Sequence, residues 1–253
     1  MRKYIVYILL LINYSILLND LSAQPIKKDY SRKVDSLLQQ MTLEEKVGQM
    51  IQYSNDKLQT GPTIKNQNHV EEIKKGMVGS MFNIITVERA RQYQDLAMQS
   101  RLKIPLIFGL DVVHGMRTIF PIPLGQAATF NPQIVENGAR VAAIEASADG
   151  IRWTFAPMID ISRDPRWGRG QETYGEDPYL SGIMGTAFVK GLQGNDSRYL
   201  KIVSTPKHFA ANNEEHNRFV CNPQISEKQL REYYLPAFEA CVKDGKSASI
   251  MSA

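Results

Sequence analysis

Residues able to do chemistry stand at or after the ends of three apolar runs, 104–110, 152–160 and 201–206. They are Asp111, Arg169, Lys207 and His208. If the three runs are parallel strands of one sheet, their carboxyl ends meet at one edge, where barrel folds carry their functional groups. The sequence therefore predicts that these four side chains share one site.

The segment SRDPRWGRGQETYGEDP, residues 162–178, combines seven charged side chains with one tryptophan and one tyrosine. Carboxylates accept hydrogen bonds from hydroxyl groups and guanidinium groups donate to them, while aromatic rings can stack on apolar C–H faces. A monosaccharide presents both kinds of surface. A phosphate site would be rich in backbone amides instead, and the segment has no dinucleotide or P-loop glycine spacing. The composition therefore favours a sugar as the ligand.

Each candidate also has a purely structural interpretation. Asp111 could cap a helix, Lys207 could be a solvated cation of a loop, and His208 could be a core histidine. Asp164 and Arg166 are expected to form a structural ion pair within the charged segment. The residues alone leave these alternatives open.

Apolar runs alternate with helical patterns along the chain. Strands are predicted to begin near residues 77, 104, 152, 201 and 248. Helices are predicted near residues 43–53, 87–101, 131–150, 178–193 and 226–245. The alternation is typical of a parallel sheet with right-handed crossovers. We predict an α/β fold, a (β/α)8 TIM-like barrel that is incomplete here with about five β/α units, as expected of the N-terminal part of a longer protein.

The N-terminal residues have the pattern of a secretory signal peptide. Arg2 and Lys3 precede a fifteen-residue apolar stretch, and Ala23 supplies a small residue for cleavage. The stretch is short for a membrane-spanning helix, which needs about 20 residues. We therefore predict a signal peptide over 1–23 and an exported, periplasmic or extracellular protein without a membrane anchor after cleavage.

Composition disfavours several other classes of function. The net charge of +4 is small, and no basic stripe with interleaved aromatic residues indicates a nucleic-acid partner. Cys221 and Cys241 stand in no metal-binding pattern; an exported protein could pair them, but we expect free thiols. The four histidines lack HExxH spacing. We predict no metal and no cofactor.

Six stretches together resemble glycoside hydrolase family 3, the β-glucosidase-like exo-glycosidases. They are MTLEEKVGQM, GLDVVHGMRTIFPIPLG, WTFAPMIDISRDPRWGRGQETYGEDPYL, KHFAANNEEHNR, LREYYLPAFEACV and SIMSA. They occur in family order over residues 40–253. The resemblance implies that residues 24–253 are the N-terminal portion of a barrel domain that an α/β sandwich domain follows. It also implies hydrolysis of terminal β-linked sugars with retention of configuration.

The resemblance also implies roles for individual residues. In the family, residues that match Asp111, Arg169, Lys207 and His208 bind the hydroxyls of the terminal sugar ring. Glu172 is expected to hold the charged segment in shape. The family's nucleophilic Asp lies in an SDW-like motif on a later strand, and its acid/base belongs to the second domain. The resemblance therefore implies no catalytic residue within residues 1–253, which would be inactive without the C-terminal domain of the same polypeptide.

The expected substrate is a small glycoside or oligosaccharide with a terminal β-D-glucosyl residue. Alternatives are a β-xylosidase or arabinofuranosidase of the same family, a non-catalytic secreted sugar-binding protein, and an aldolase that uses Lys207 as a Schiff-base amine. Neighbouring carboxylates disfavour the aldolase because they keep an amine charged. The sequence KHFAANNEEH differs from the KHFPGHG of the family's N-acetylglucosaminidases, which disfavours that activity.

Overall fold

A parallel sheet of five short strands forms the centre of the molecule, a computed structural model that describes residues 30–54 and 69–253. The predicted signal peptide lies outside the described residues. The strands are β1 (Gln52–Ser54), β2 (Ser80–Phe82), β3 (Ile107–Leu110), β4 (Trp153–Thr154) and β5 (Val203–Ser204). Each strand pairs in parallel with the next one along the chain, so the sheet order is β1-β2-β3-β4-β5. This succession is the wall of a barrel built from consecutive β/α units.

Helices connect the strands and cover the sheet. They are α1 (Ser31–Gln40), α2 (Leu43–Gly48), α3 (His69–Lys74), α4 (Val87–Ala97), α5 (Pro123–Ala127), α6 (Pro132–Ala148), α7 (Pro178–Gln193), α8 (Glu227–Gln229) and α9 (Pro236–Lys243). A 3-10 turn at Gly170–Glu172 and a π-helical turn at Leu230–Tyr234 complete the set. Helix α7 packs against both α6 and α9. None of the helices in the described ranges is long and apolar enough to cross a membrane.

Local sequence signals explain where several helices begin. The side chain of Thr42 caps α2 in a reciprocal capping box with Glu45. Asn131 caps α6 by accepting from the backbone N–H of Gln133, with a proline at the first helical position. Ser226 caps α8 in the same way as Thr42 caps α2. Pro236 divides the predicted last helix, and α9 begins at it, because its ring cannot continue the hydrogen-bond ladder.

Two predicted elements differ from the structure. The helix predicted over 43–53 ends at Gly48, which packs directly on the backbone of Met77, and residues 52–54 pair with β2 as a strand. The strand predicted from 248 is reduced to one parallel bridge, between Phe209 and Ser252. In both places the pairing with distant segments determined the secondary structure, since a short apolar run is compatible with either a helix or a strand.

The core lies between the sheet and its helices. Its largest fully buried side chains include Met81, Ile151, Ile159, Met184 and Phe188. Tyr174 of the charged segment also belongs to this core, with 2% of its surface exposed. Of the two free cysteines, Cys241 is buried and Cys221 is exposed.

Gly191 allows α6 and α7 to approach closely. A β-carbon on Gly191 would collide with the carbonyl oxygen of Glu136 and lie 2.6 Å from Cβ of Ala139. We expect Gly191→Ala to destabilise the protein by about 1–3 kcal/mol, because overpacking forces the backbone apart. Thermal unfolding measures the effect, and Gly125→Ala in α5 is the control, since its β-carbon would meet Pro121 at an ordinary 3.6 Å. Equal melting temperatures for the two variants would contradict the prediction.

Candidate active site

A cavity of about 480 Å³ opens at the carboxyl end of the sheet. It is lined by Gln52, Phe82, Asp111, Val113, Phe155, Arg169, Glu172, Lys207, His208, Arg218 and Met251. Each of the five strands supplies at least one lining residue, either from the strand itself or from the residues just after it. This follows because parallel strands all present their carboxyl ends to the same side of the sheet. The structure therefore brings together the four residues that the sequence singled out.

Lys207 and Asp111 form an ion pair at the wall of the cavity. Nζ of Lys207 donates to Oδ1 of Asp111 over 2.7 Å, and the two side chains are 6% and 27% exposed. The backbone of Lys207 pairs with the segment after β4, through the carbonyl of Pro157 and the N–H of Ile159. An ammonium group this buried requires such a partner. The pairing shows that Lys207 is not a solvated loop cation, the structural alternative that the sequence left open.

Arg169 enters the cavity from the charged segment, just before the 3-10 turn. Its Nε and Nη2 donate to the two carboxylate oxygens of Glu172 over 2.8 and 2.9 Å, and its Nη1 lies 3.4 Å from Nε2 of His208. Burial opposes ionisation of Glu172, but the hydrogen bonds and charge of Arg169 outweigh it, so the pKa of Glu172 is lowered. The carboxylate thus clamps one edge of the guanidinium and leaves the other toward the cavity.

Asp160 lies behind His208, and sequence reasoning did not single it out. Its Oδ2 accepts from the backbone N–H of His208 over 2.9 Å and lies 2.8 Å from Nδ1 of the ring. Burial raises the pKa of Asp160, while the contacts with His208 and the charge of Arg169 act in the opposite direction. Asp160 is the last residue of the apolar run 152–160, and a carboxylate ending a predicted strand was the signal available for it.

Arg218 is a second cavity residue that sequence reasoning missed. Its Nη1 donates to Glu215 over 2.8 Å, and its guanidinium lies over the ring of Phe219. The residues before it form a polar loop, in which Glu214 accepts from the backbone N–H groups of His216 and Asn217. Nothing in the spacing of this loop distinguishes Arg218 from a solvated cation.

The rest of the charged segment lies outside the cavity. Asp164 and Arg166 form the expected ion pair, and the hydrogen bonds from Arg166 lower the pKa of Asp164 to about 2. Trp167 and Tyr174 do not line the cavity. Its aromatic and thioether surface comes from Phe82, Phe155 and Met251.

Among residues 30–54 and 69–253, no group of three His, Cys, Asp or Glu side chains is placed to hold a metal ion. The carboxylates of Asp111 and Glu172, which line the cavity, are paired with Lys207 and Arg169 instead. The arrangement suits an uncharged polar ligand, because carboxylate acceptors and cationic donors line the same cavity.

A sequence model of the glycosyl hydrolase family 3 N-terminal domain matches residues 42–253, most of the chain. The chain belongs to glycoside hydrolase family 3. This confirms the resemblance carried by the motifs around Asp111, Arg169 and Lys207. The glycoside hydrolase family 3 domain explains why the sheet is built from successive parallel β/α units.

Three known proteins are similar to large parts of the chain. A periplasmic beta-glucosidase of Salmonella typhimurium is 44% identical over 227 residues, covering 87% of this chain and 28% of that protein. A xylan 1,4-beta-xylosidase of Xylanibacter ruminicola is 42% identical over 159 residues, 55% of this chain and 18% of that protein. The structure of a beta-glucosidase from Listeria innocua in complex with isofagomine matches with a TM-score of 0.77 at 36% identity, covering 88% of this chain and 32% of that one.

The chain therefore spans about a third or less of the length of these relatives. The parallel α/β architecture and the similarity to the Listeria innocua structure confirm the predicted TIM-like barrel fold, of which these residues form a part.

Proposed function

We propose that the polypeptide containing this chain is a retaining, exo-acting glycoside hydrolase that removes terminal β-D-glucosyl residues from β-glucosides and oligosaccharides. The observation that carries the proposal is the convergence of Asp111, Arg169, Lys207 and His208 on one cavity at the carboxyl end of the sheet. The beta-glucosidases of Salmonella typhimurium and Listeria innocua support the choice of a glucoside.

In this proposal the four residues bind the hydroxyls of the terminal sugar. Asp111 accepts from hydroxyls, while Lys207 and the free edge of Arg169 donate to them. Phe82 and Phe155 supply apolar surface for the C–H face of the ring. Such contacts accelerate hydrolysis only where they tighten in the transition state.

The two catalytic carboxyl groups belong, in this proposal, to a later part of the same polypeptide. A retaining glycosidase needs a carboxylate free to attack the anomeric carbon and a second carboxyl group about 5–5.5 Å away. Asp111 and Glu172 line the cavity, but each is bound to a cation. We therefore assign them to binding and positioning. Residues 24–253 act as the N-terminal portion of the barrel domain and are inactive without the rest of the polypeptide.

Export is part of the same proposal. Residues 1–23 have the pattern of a signal peptide, and the relative from Salmonella typhimurium is named as periplasmic. The protein would then meet its glycosides in the periplasm or outside the cell.

An assay on aryl β-glycosides tests the proposed function. We expect the full-length polypeptide to release the aryl group from a β-glucoside, and residues 24–253 alone to release none above background. Comparable turnover by residues 24–253 would show that the nucleophile lies within these residues and not in a later part of the polypeptide. Glucose binding without any turnover by the full-length polypeptide would favour a non-catalytic sugar-binding protein.

A β-xylosidase is the second candidate, because the Xylanibacter ruminicola relative is a xylosidase. The same assay with an aryl β-xyloside decides between the two. A higher kcat/KM for the xyloside than for the glucoside would identify the full-length polypeptide as a β-xylosidase.

A further inference from the structure

We propose that Asp160 is a positioning residue that holds His208 in its Nδ1–H tautomer, so that Nε2 faces the cavity as a hydrogen-bond acceptor. The inference rests on the proposed function, since it gives the imidazole a defined part in sugar binding. It makes His208 an acceptor of a hydrogen bond from the sugar.

The geometry on the Asp160 side favours a proton on Nδ1. Oδ2 of Asp160 lies 2.8 Å from Nδ1 and also accepts the backbone N–H of His208, so one oxygen orients both the ring and its peptide. The Asp160 side chain is 1% exposed and that of His208 is 12% exposed. Water therefore has little access to replace this contact.

The geometry on the cavity side requires a lone pair on Nε2. Nη1 of Arg169 lies 3.4 Å from Nε2, and a guanidinium carries donors only. A proton on Nε2 would place two donors face to face. The hydrogen bond made by one imidazole nitrogen decides the state of the other, and here both contacts select the same tautomer.

The charges around the imidazole come from two segments. Asp160 faces it from the segment after β4, while Arg169 and Glu172 face it from the charged segment. Glu172 holds Nε and Nη2 of Arg169, which directs Nη1 toward the ring. The lone pair of Nε2 makes only a long contact of 3.4 Å with Nη1 of Arg169, so a sugar hydroxyl bound there would take its place, donating to Nε2 and accepting from Arg169.

The test combines binding and spectroscopy on the full-length polypeptide. Asp160→Leu keeps a side chain of similar size but removes the acceptor. We expect this variant to bind glucose at least about tenfold more weakly by calorimetry, since the lost bond is charge-assisted. In a His208→Ala background we expect Asp160→Leu to cause no further loss. Equal losses in both backgrounds would mean a merely structural role and would overturn the proposal.

Two further measurements keep the result decisive. Asp164→Leu changes an exposed carboxylate of the charged segment that does not line the cavity, and it should bind glucose like the wild type. Nitrogen-15 spectra of histidine-labelled wild type, with the His208 signals assigned from His208→Ala, report the tautomer directly. A proton on Nε2 of His208 in these spectra overturns the proposal even if Asp160→Leu fails to fold.

The outcomes separate this inference from the proposed function. If the wild type neither binds nor hydrolyses a β-glycoside, the function fails while the nitrogen-15 spectra still decide the tautomer. If the wild type binds glucose and Asp160→Leu binds it equally well, the function stands and the role of Asp160 is refuted.

Discussion

Lys207→Met is expected to weaken glucose binding by the full-length polypeptide by about 10²- to 10³-fold. Removing one partner of a buried, hydrogen-bonded charge pair costs about 2–5 kcal/mol, of which every 1.4 kcal/mol is tenfold in affinity. The substitution leaves Asp111 at the cavity wall without its ammonium partner, which now lies 2.7 Å away. Methionine retains most of the volume of the side chain, so the change acts through charge rather than through a cavity.

Calorimetric titration with glucose measures this effect, and kcat/KM on an aryl β-glucoside should fall in parallel. Lys243→Met is the matched control, because Lys243 forms an ion pair with Glu239 on the surface, where the two side chains are 70% and 59% exposed. Exposed pairs of this kind contribute about 0–1 kcal/mol. If Lys207→Met binds glucose with wild-type affinity, the ion pair of Lys207 and Asp111 has no part in sugar binding and the prediction is wrong.

Arg169→Lys is the second substitution with a large expected effect, about 10- to 100-fold in kcat/KM. The guanidinium holds both oxygens of Glu172 and still presents Nη1 near His208, which a single ammonium group cannot do. The loss of one charge-assisted hydrogen bond accounts for about 1.5–3 kcal/mol. Arginine and lysine both carry one positive charge, so the difference in kcat/KM between the wild type and Arg169→Lys reports the planar geometry of the guanidinium group.

Arg166→Lys tests whether the effect is specific to the cavity. Arg166 lies three residues earlier in the charged segment and binds Asp164, but its side chain is 88% exposed and does not line the cavity. We expect kcat/KM within about twofold of wild type, since exposed ion pairs contribute little. A similar loss in both variants would mean that the segment tolerates no change of arginine, and the planar fork of Arg169 would not explain the loss.

A common arrangement connects these predictions. Each group proposed to contact the sugar is oriented by a partner of complementary hydrogen-bonding character: Lys207 with Asp111, Arg169 with Glu172, and His208 with Asp160. The partners come from different strand ends or from the charged segment. Preorganised groups of this kind stabilise a transition state without reorganising during the reaction.

Much of the fold could be read from sequence because its signals are local. The capping box of Thr42 and the cap at Asn131 act within one helical turn, and the helices predicted to begin near residues 43 and 131 are confirmed at Leu43 and Pro132. Strands near residues 77, 104, 152 and 201 correspond to β2 through β5, since apolar runs bounded by turns suffice to mark them. The short strand β1 was missed because its residues, QYS, form no apolar run of their own and lie within the helical pattern predicted over 43–53.

The sequence by itself determined the family, the parallel α/β architecture and the placing of Asp111, Lys207 and His208 at strand ends. Only the tertiary structure decided their partners. Lys207 binds Asp111, and Asp160 holds His208, through contacts between segments distant along the chain. The same long-range folding places Arg218, and not Trp167, at the cavity. The physical reason is that capping and periodicity depend on neighbours within a few residues, whereas the pairing of buried charges depends on which strand ends the completed sheet brings together.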